Sequence, residues 1–183
     1  MKGHVCKNID VFPLDKFHQL GEGKGSKVLI VGESPAPNGW IISGKACYRS
    51  DGKILPTGKR LNELLLPFDI SVEISGFTEL SKCFVSKRSE LESCSKKCWP
   101  IFLNQIDGKN YKLIIILGVQ TTKIFSKLIN MELVVGEIVD VNLKNKNYKV
   151  LPIFHPSPIN TKGHPKNIAL FKKHYQNIRG IMK

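Results

Sequence analysis

Three short apolar runs, rich in β-branched residues, mark the chain. They cover residues 27–32, 113–117 and 149–154, and a glycine closes each of the first two. Runs of this length are typical of parallel strands that are buried on both faces. Weaker patterns predict further strands over residues 72–77 and 133–141.

Segments with apolar residues at helical spacing lie between the strands. They predict helices over residues 57–65, 92–105, 120–129 and 165–181. Pro100 either kinks the second helix or marks its first turn. Alternating strands and helices predict one α/β domain over residues 1–183, a three-layer α/β/α sandwich around a mainly parallel sheet of four or five strands.

Two stiff loops follow the first and the last of the strong strands, where such sheets bind their ligands. Gly-Glu-Ser-Pro-Ala-Pro-Asn-Gly occupies residues 32–39, and His-Pro-Ser-Pro-Ile-Asn occupies residues 155–160. Glu33 can orient water or stabilise positive charge, and His155 can donate a hydrogen bond to a forming anion. Each also fits a structural role, Glu33 as a helix-cap partner or solvated residue and His155 as a packed strand end.

The charge balance is strongly basic. Lysine and arginine number 28 against 15 aspartate and glutamate residues, which gives a formal net charge of +13. Such an excess favours polyanionic partners, because each neutralised phosphate releases counterions. A general bias toward lysine would produce the same balance, so the charge indicates nucleic acid without proving it.

Neither a membrane span nor an export signal is expected. The most apolar stretch, residues 113–119, is too short to cross a bilayer, and residues 1–16 lack a signal-peptide core. We therefore expect a cytoplasmic protein, in which the five cysteines do not form structural disulfides.

Taken together, the two loops resemble those of the uracil-DNA glycosylase superfamily. That superfamily has a water-activating Gly-x-x-Pro loop after its first strand and a His-Pro-Ser-Pro-like loop near its C-terminus. Gly32–Pro35 and His155–Pro158 match these loops in kind, order and position. The chain looks most similar to the bacterial and archaeal iron–sulfur (family 4-like) branch, on segment 44–65 and on Lys82-Cys83 preceding Cys98.

The resemblance implies a monofunctional DNA glycosylase of base excision repair, which flips uracil or a related damaged base and hydrolyses its N-glycosidic bond. The implied catalytic residues are Glu33, Ser34 and His155. Ser34 stands where several families carry aspartate or asparagine, and it cannot ionise. Glu33 is therefore the ionisable candidate in this loop.

The resemblance also assigns the base-binding residues Asn38, Tyr48 and Glu79, with Tyr48 as the stacking ring. Glu79 falls where the iron–sulfur branch reads uracil with asparagine. Because an ionised glutamate only accepts hydrogen bonds, it would repel a carbonyl oxygen unless it is protonated or Thr78 or Ser81 supplies a donor. Hypoxanthine or an oxidised pyrimidine thus stays open as the substrate. An alternative is that Glu79 is a surface residue whose charge points outward.

The DNA contacts implied by the resemblance lie on two segments. The phosphate contacts are Thr57, Lys59, Pro156, Ser157, Pro158 and Lys162, and Ile159 stands where the intercalating side chain is usually found. The implied partner is DNA with a damaged base, bound by a monomer that needs no obligate protein partner.

Four cysteines are candidate ligands of a structural iron–sulfur (4Fe-4S) cluster, which the chemistry itself does not need. They are Cys6, Cys83, Cys94 and Cys98. The related branch has a paired Cys-x-x-Cys near its N-terminus, whereas Cys6 stands alone here. Zinc ligands and ordinary thiols are the alternatives.

Two other functions stay open from the sequence. A non-catalytic nucleic-acid-binding member of the superfamily fits Ser34 and Glu79 but not the intact His-Pro-Ser-Pro loop. The other is a nucleotide or nucleoside hydrolase that acts on small molecules, but the net charge of +13 and an intercalating residue at Ile159 argue against it.

Overall fold

A computed structural model describes residues 27–36 and 40–183 of the chain. Its strands form one sheet, with bounds β1 Val28–Gly32, β2 Gly76–Glu79, β3 Leu113–Leu117, β4 Val139–Leu143 and β5 Lys146–Ile153. The order across the sheet is β2-β1-β3-β5-β4. Strands β2, β1, β3 and β5 are mutually parallel, and β4 pairs antiparallel with β5 at the edge of the sheet. The predicted mainly parallel sheet is confirmed.

Helices cover both faces of the sheet. Their bounds are α1 Trp40–Ser43, α2 Pro56–Leu65, α3 Leu91–Ile106, α4 Val119–Ile129, α5 Gly163–Lys173 and α6 Tyr175–Met182. Side chains of α2, α5 and α6 form one apolar core, and side chains of α3 and α4 contribute to the other. The predicted α/β/α layering is confirmed.

The apolar runs are explained by burial on both faces. In β1, Val28 and Ile30 belong to the α2 side, whereas Leu29 and Val31 belong to the α3 side. Strand β3 alternates in the same way, and all five of its residues are buried. Because successive side chains of a strand point to opposite faces, a strand between two helical layers is apolar throughout.

The weaker strand predictions were only partly right. Residues 72–75 form a turn rather than a strand, because the Val72 N–H donates to Asn62 Oδ1 (2.8 Å) and the Ser75 hydroxyl to the Ser71 carbonyl (2.7 Å). Residues 133–138 are also outside the sheet, and β4 begins at Val139.

Two features near the C-terminus differ from the sequence prediction. Strand β5 begins at Lys146, after a tight hairpin turn in which Lys144 (φ 49°) and Asn145 (φ 63°) are both left-handed. The predicted single helix over residues 165–181 is two helices. They meet at His174, whose buried ring bonds through Nε2 to the Gly136 carbonyl (2.7 Å).

Four parallel strands place their carboxyl ends at one edge of the sheet. Gly32 of β1 pairs with Glu79 of β2, and the chain leaves β3 at Gly118 and β5 at Phe154 on this same edge. Strand β1 lies between β2 and β3, so the connections diverge there and leave a crevice, the usual ligand position in such sheets. None of the helices in residues 27–36 and 40–183 has the length and the apolar composition that a membrane span requires.

Candidate active site

A pocket of about 680 Å³ lies at this edge, within the size range of small-molecule sites. Each of the four parallel strands contributes to it, through its last residues or the loop that follows. The lining residues are Gly32, Glu33, Ser34, Ala36, Ala46, Cys47, Leu55, Thr57, Phe77, Glu79, Arg88, Leu117, His155, Ser157, Ile159 and Asn160.

The ring of His155 has a defined hydrogen-bonding role. The Ser157 N–H donates to Nδ1 of His155 (3.1 Å), so in the neutral ring Nε2 carries the proton. His155 is exposed at the pocket, yet desolvation of its ring by the surrounding residues lowers its pKa, and the nearby positive charge of Arg88 lowers it further. His155 therefore presents a neutral N–H donor at Nε2.

Three residues fix the backbone that carries His155. The buried Asn167 side chain accepts from the Phe154 N–H (2.9 Å) and donates to the Phe154 carbonyl (2.8 Å). Asn160 donates to the His155 carbonyl (3.2 Å). Gly118, at φ +97°, is so close that a Cβ on it would lie 3.3 Å from the Cβ of His155.

Arg60 of α2 ties the 155–160 loop to the opposite side of the pocket. Its guanidinium donates to the Ser157 carbonyl (2.9 Å) and more weakly to the Pro156 carbonyl (3.4 Å). The same helix contacts the start of α5 through Glu63 and His164, whose side chains lie 2.7 Å apart. Helix α2 thus holds both ends of the loop.

The loop after β1 is held just as closely. The Leu80 N–H donates to the Gly32 carbonyl and the Ser81 N–H to the Glu33 carbonyl, each at 3.0 Å. These bonds continue the β1–β2 ladder beyond the strand ends, so the backbone of Glu33 is fixed. Its half-buried carboxylate lies 3.6 Å from the exposed guanidinium of Arg88.

Glu79 lies deepest among the charged residues of the pocket, only 7% exposed. Its carboxyl group rests on Gly32, where a Cβ would come within 2.0 Å of Oε2. Burial raises the pKa of Glu79 to about 8; the neighbouring Lys82 lowers it and Glu33 raises it.

The family model of the uracil DNA glycosylase superfamily matches residues 18–179. The chain belongs to this superfamily. No curated protein matches the chain. The edge of the sheet at which the superfamily's two loops were expected is the edge where the pocket lies.

The structure brings together most of the residues that the sequence assigned to the superfamily site. Those lining the pocket are Glu33, Ser34, Thr57, Glu79, His155, Ser157 and Ile159. Lys59, Pro158 and Lys162 are exposed outside the pocket lining, and Pro156 is buried within the loop. Asn38 lies outside the described residues.

Tyr48, predicted to stack on the base, is not among the pocket-lining residues. It forms an isolated bridge with Ile54, and the amine of Lys45 lies 3.9 Å from the centre of its ring. Phe77 supplies an aromatic side chain to the pocket instead. The alternation of side chains along a strand would have predicted this position, because Phe77 is two residues before Glu79 and lies on the same face of the strand.

Sequence reasoning also missed residues that contact the site but lie far from the two loops in the sequence. Arg60, Arg88 and Asn167 come from three separate segments, and no local motif connects them with the two loops. Asn160 was quoted in the loop but not assigned; it lines the pocket and bonds to His155.

The candidate cluster ligands are not gathered into a metal site within the described part of the chain. Cys83 and Cys98 are buried and Cys94 is half-buried, and the Sγ of Cys98 accepts from the Lys82 N–H (3.3 Å). Residues 27–36 and 40–183 contain no group of three or more histidine, cysteine or acidic side chains arranged to hold a metal. Cys6 lies outside the described residues, and the iron–sulfur cluster stays a prediction.

The tautomer of His155 can be tested directly. Long-range proton–nitrogen NMR at neutral pH should show a protonated Nε2 and an unprotonated Nδ1, because Nδ1 accepts from Ser157. The ring should titrate below its ordinary value of 6.5, because desolvation and the nearby charge of Arg88 disfavour the protonated form. Ser157→Ala keeps the N–H donor and should show the same tautomer; a protonated Nδ1 in the native protein would contradict the assignment.

Proposed function

We propose that this chain is a monofunctional DNA glycosylase that flips uracil or a related damaged base out of DNA and hydrolyses its N-glycosidic bond, as a base excision repair enzyme. The main support is that the Glu33 loop and the neutral His155 line the same pocket, within the size range of ligand sites. Superfamily membership and the net charge of +13 agree with a DNA substrate.

The proposed chemistry divides between the two loops. As the glycosidic bond breaks, positive charge develops on the sugar and negative charge on the departing base. Nε2 of His155 donates to a base oxygen and stabilises that negative charge. Water held by Glu33 attacks the sugar carbon and transfers a proton to the Glu33 carboxylate. That proton is then passed to the departing base anion, which leaves an abasic sugar and the free base. Ser34 lies in the same loop and lines the pocket, but its hydroxyl group does not ionise and so cannot act as the general base.

The proposed DNA contacts surround the mouth of the pocket. Ile159 lies beside the opening with 94% of its surface exposed, and it fills the gap left by the flipped base. Ser157 and Pro158 contact the phosphates on one side, and Pro156, which is buried, restricts the backbone of their loop. Thr57, in the first turn of α2, and Lys59 contact the phosphates on the other side. Phe77 stacks on the base within the pocket.

A monofunctional reaction fits the positions of the lysines. A lysine that forms a Schiff base with the sugar must reach the reacting carbon. The described lining of the pocket contains no lysine. Burial lowers the pKa of Lys82 to about 7, but its amine donates to Thr78 Oγ1 (2.6 Å) and to the backbone carbonyl of Glu79.

Base release from labelled DNA tests the proposal. Oligonucleotides with uracil, hypoxanthine, xanthine or 5-hydroxymethyluracil should yield alkali-sensitive sites for at least one base. His155→Ala should slow release by about 100-fold to 1000-fold, the usual cost of removing one such donor. Lys97→Ala, an exposed change on α3, is the control and should match the native rate. Absence of release from every duplex and single strand would contradict the proposal and favour a non-catalytic binding protein.

The role of Ile159 predicts a difference between duplex and single-stranded substrates. Flipping a base from a duplex costs a few kcal/mol, so Ile159→Ala should slow release from duplex DNA by about tenfold or more. Release from single strands should change little, because no stack has to be opened. Ile168→Ala removes an exposed isoleucine outside the pocket and serves as the matched control. Equal losses on both substrates would exclude the intercalating role.

A further inference from the structure

We propose that Glu79 acts in its protonated form as the specificity-determining residue, and that it selects bases with a lactam edge, in which a ring N–H lies beside a C=O. Uracil, hypoxanthine and xanthine have this edge. The inference rests on the proposed function, which supplies a base to the pocket.

The position of Glu79 is built into the sheet. It is the last residue of β2 and pairs with Gly32 of β1, whose missing side chain leaves the space that the carboxyl group fills. Any Cβ at residue 32 would lie within 2.8 Å of both carboxyl oxygens. Glu79 also lines the pocket, so its carboxyl group is held against the strand end at the pocket floor.

One oxygen of this carboxyl group lacks a protein partner. Oε2 is buried and has no hydrogen bond to any residue in the described part of the chain. The neighbouring hydroxyl groups have other hydrogen-bond partners. Thr78 donates to Gln105 (2.7 Å), and the hydroxyl groups of Ser81 and Ser95 lie 3.1 Å apart. A buried polar atom without a partner at a binding pocket indicates a ligand that supplies one.

Burial favours the neutral form of Glu79, and the charges around it act in both directions. The amine of Lys82 donates to the backbone carbonyl of Glu79 and to Thr78 Oγ1. Glu33 faces the carboxyl group from the β1 loop and disfavours a second negative charge, and Cys47 faces it as a thiol whose pKa burial raises to about 12. Arg88 lies beside Glu33 at the pocket mouth, and His155 is neutral. Burial raises the pKa of Glu79 to about 8; Lys82 opposes this rise and Glu33 adds to it, so the carboxyl group is mostly protonated at neutral pH.

A protonated carboxyl group complements a lactam. It offers one O–H donor and one carbonyl acceptor side by side, so it donates to the base C=O and accepts from the adjacent N–H. Charge that develops on the departing base is shared with that C=O, so the bond from Glu79 strengthens as the base leaves. An ionised carboxylate has no donor and repels the same oxygen. Neutral Glu79 thus both recognises a keto base and assists its departure, together with His155.

The pH dependence of base release tests this role. Above about 8, ionisation of Glu79 should reduce kcat/KM of the native enzyme by about tenfold per pH unit. Glu79→Gln keeps a donor and an acceptor at every pH, so its profile should lose this alkaline decline. Glu132→Gln, at an exposed position, should retain the native profile. If Glu79→Gln shows the same decline above pH 8 as the native enzyme, the proposal is overturned. Release of cytosine or adenine as fast as uracil would also overturn it.

A second measurement does not depend on activity. Carboxyl-carbon NMR, with Glu79→Gln to assign the resonance, should give Glu79 a titration midpoint near 8 rather than the ordinary 4.5. Because the folded pKa is raised, the contribution of Glu79 to native stability should be greatest below pH 4.5 and should fall as the pH rises toward about 8. Glu79→Gln should lose this decline. A midpoint near 4.5 would overturn the inference even in an active enzyme. A midpoint near 8 without any base release would instead support the protonation of Glu79 and reject the proposed function.

Discussion

Strands β1 and β3 have helices packed against both faces, and this constraint determines where polar chemistry can lie. Their side chains are buried and apolar along the whole length of each strand, so polar groups gather where the strands end. Gly32 and Gly118 stand at these ends and admit close neighbours, the carboxyl group of Glu79 in one case and His155 in the other. The pocket therefore follows from the packing of the sheet.

The loops at this edge are held by hydrogen bonds rather than by apolar packing alone. Asn167 satisfies both backbone groups of Phe154, and removing one partner from a buried pair costs about 1–3 kcal/mol. Arg60 and the continued ladder from Gly32 to Leu80 restrain the remaining backbone. This order matters for chemistry, since donors that are already in place need no reorganisation when charge develops.

The sequence contained the central features of this site because each one lies in a continuous segment. Residues 27–32 and 113–117 are strands with no polar face, and the two loops follow strands directly, so their shared edge was predictable. The hairpin at residues 144–145 was not, because two left-handed non-glycine residues give little local signal. The same holds for Arg60 and Arg88, whose contacts join distant segments. Tyr48 illustrates a third limit, since its neighbour Cys47 has φ 64° and the path of that loop has no simple periodicity.

A crystal structure with duplex DNA would test the account most directly. The duplex would carry 2′-fluoro-2′-deoxyuridine, whose glycosidic bond resists cleavage because fluorine disfavours positive charge on the sugar. The account predicts the uracil flipped into the pocket, with its N3–H and O4 on the Glu79 carboxyl group, its O2 at Nε2 of His155, and Ile159 within the base stack. A uracil still stacked in the duplex, or bound away from this edge of the sheet, would contradict it.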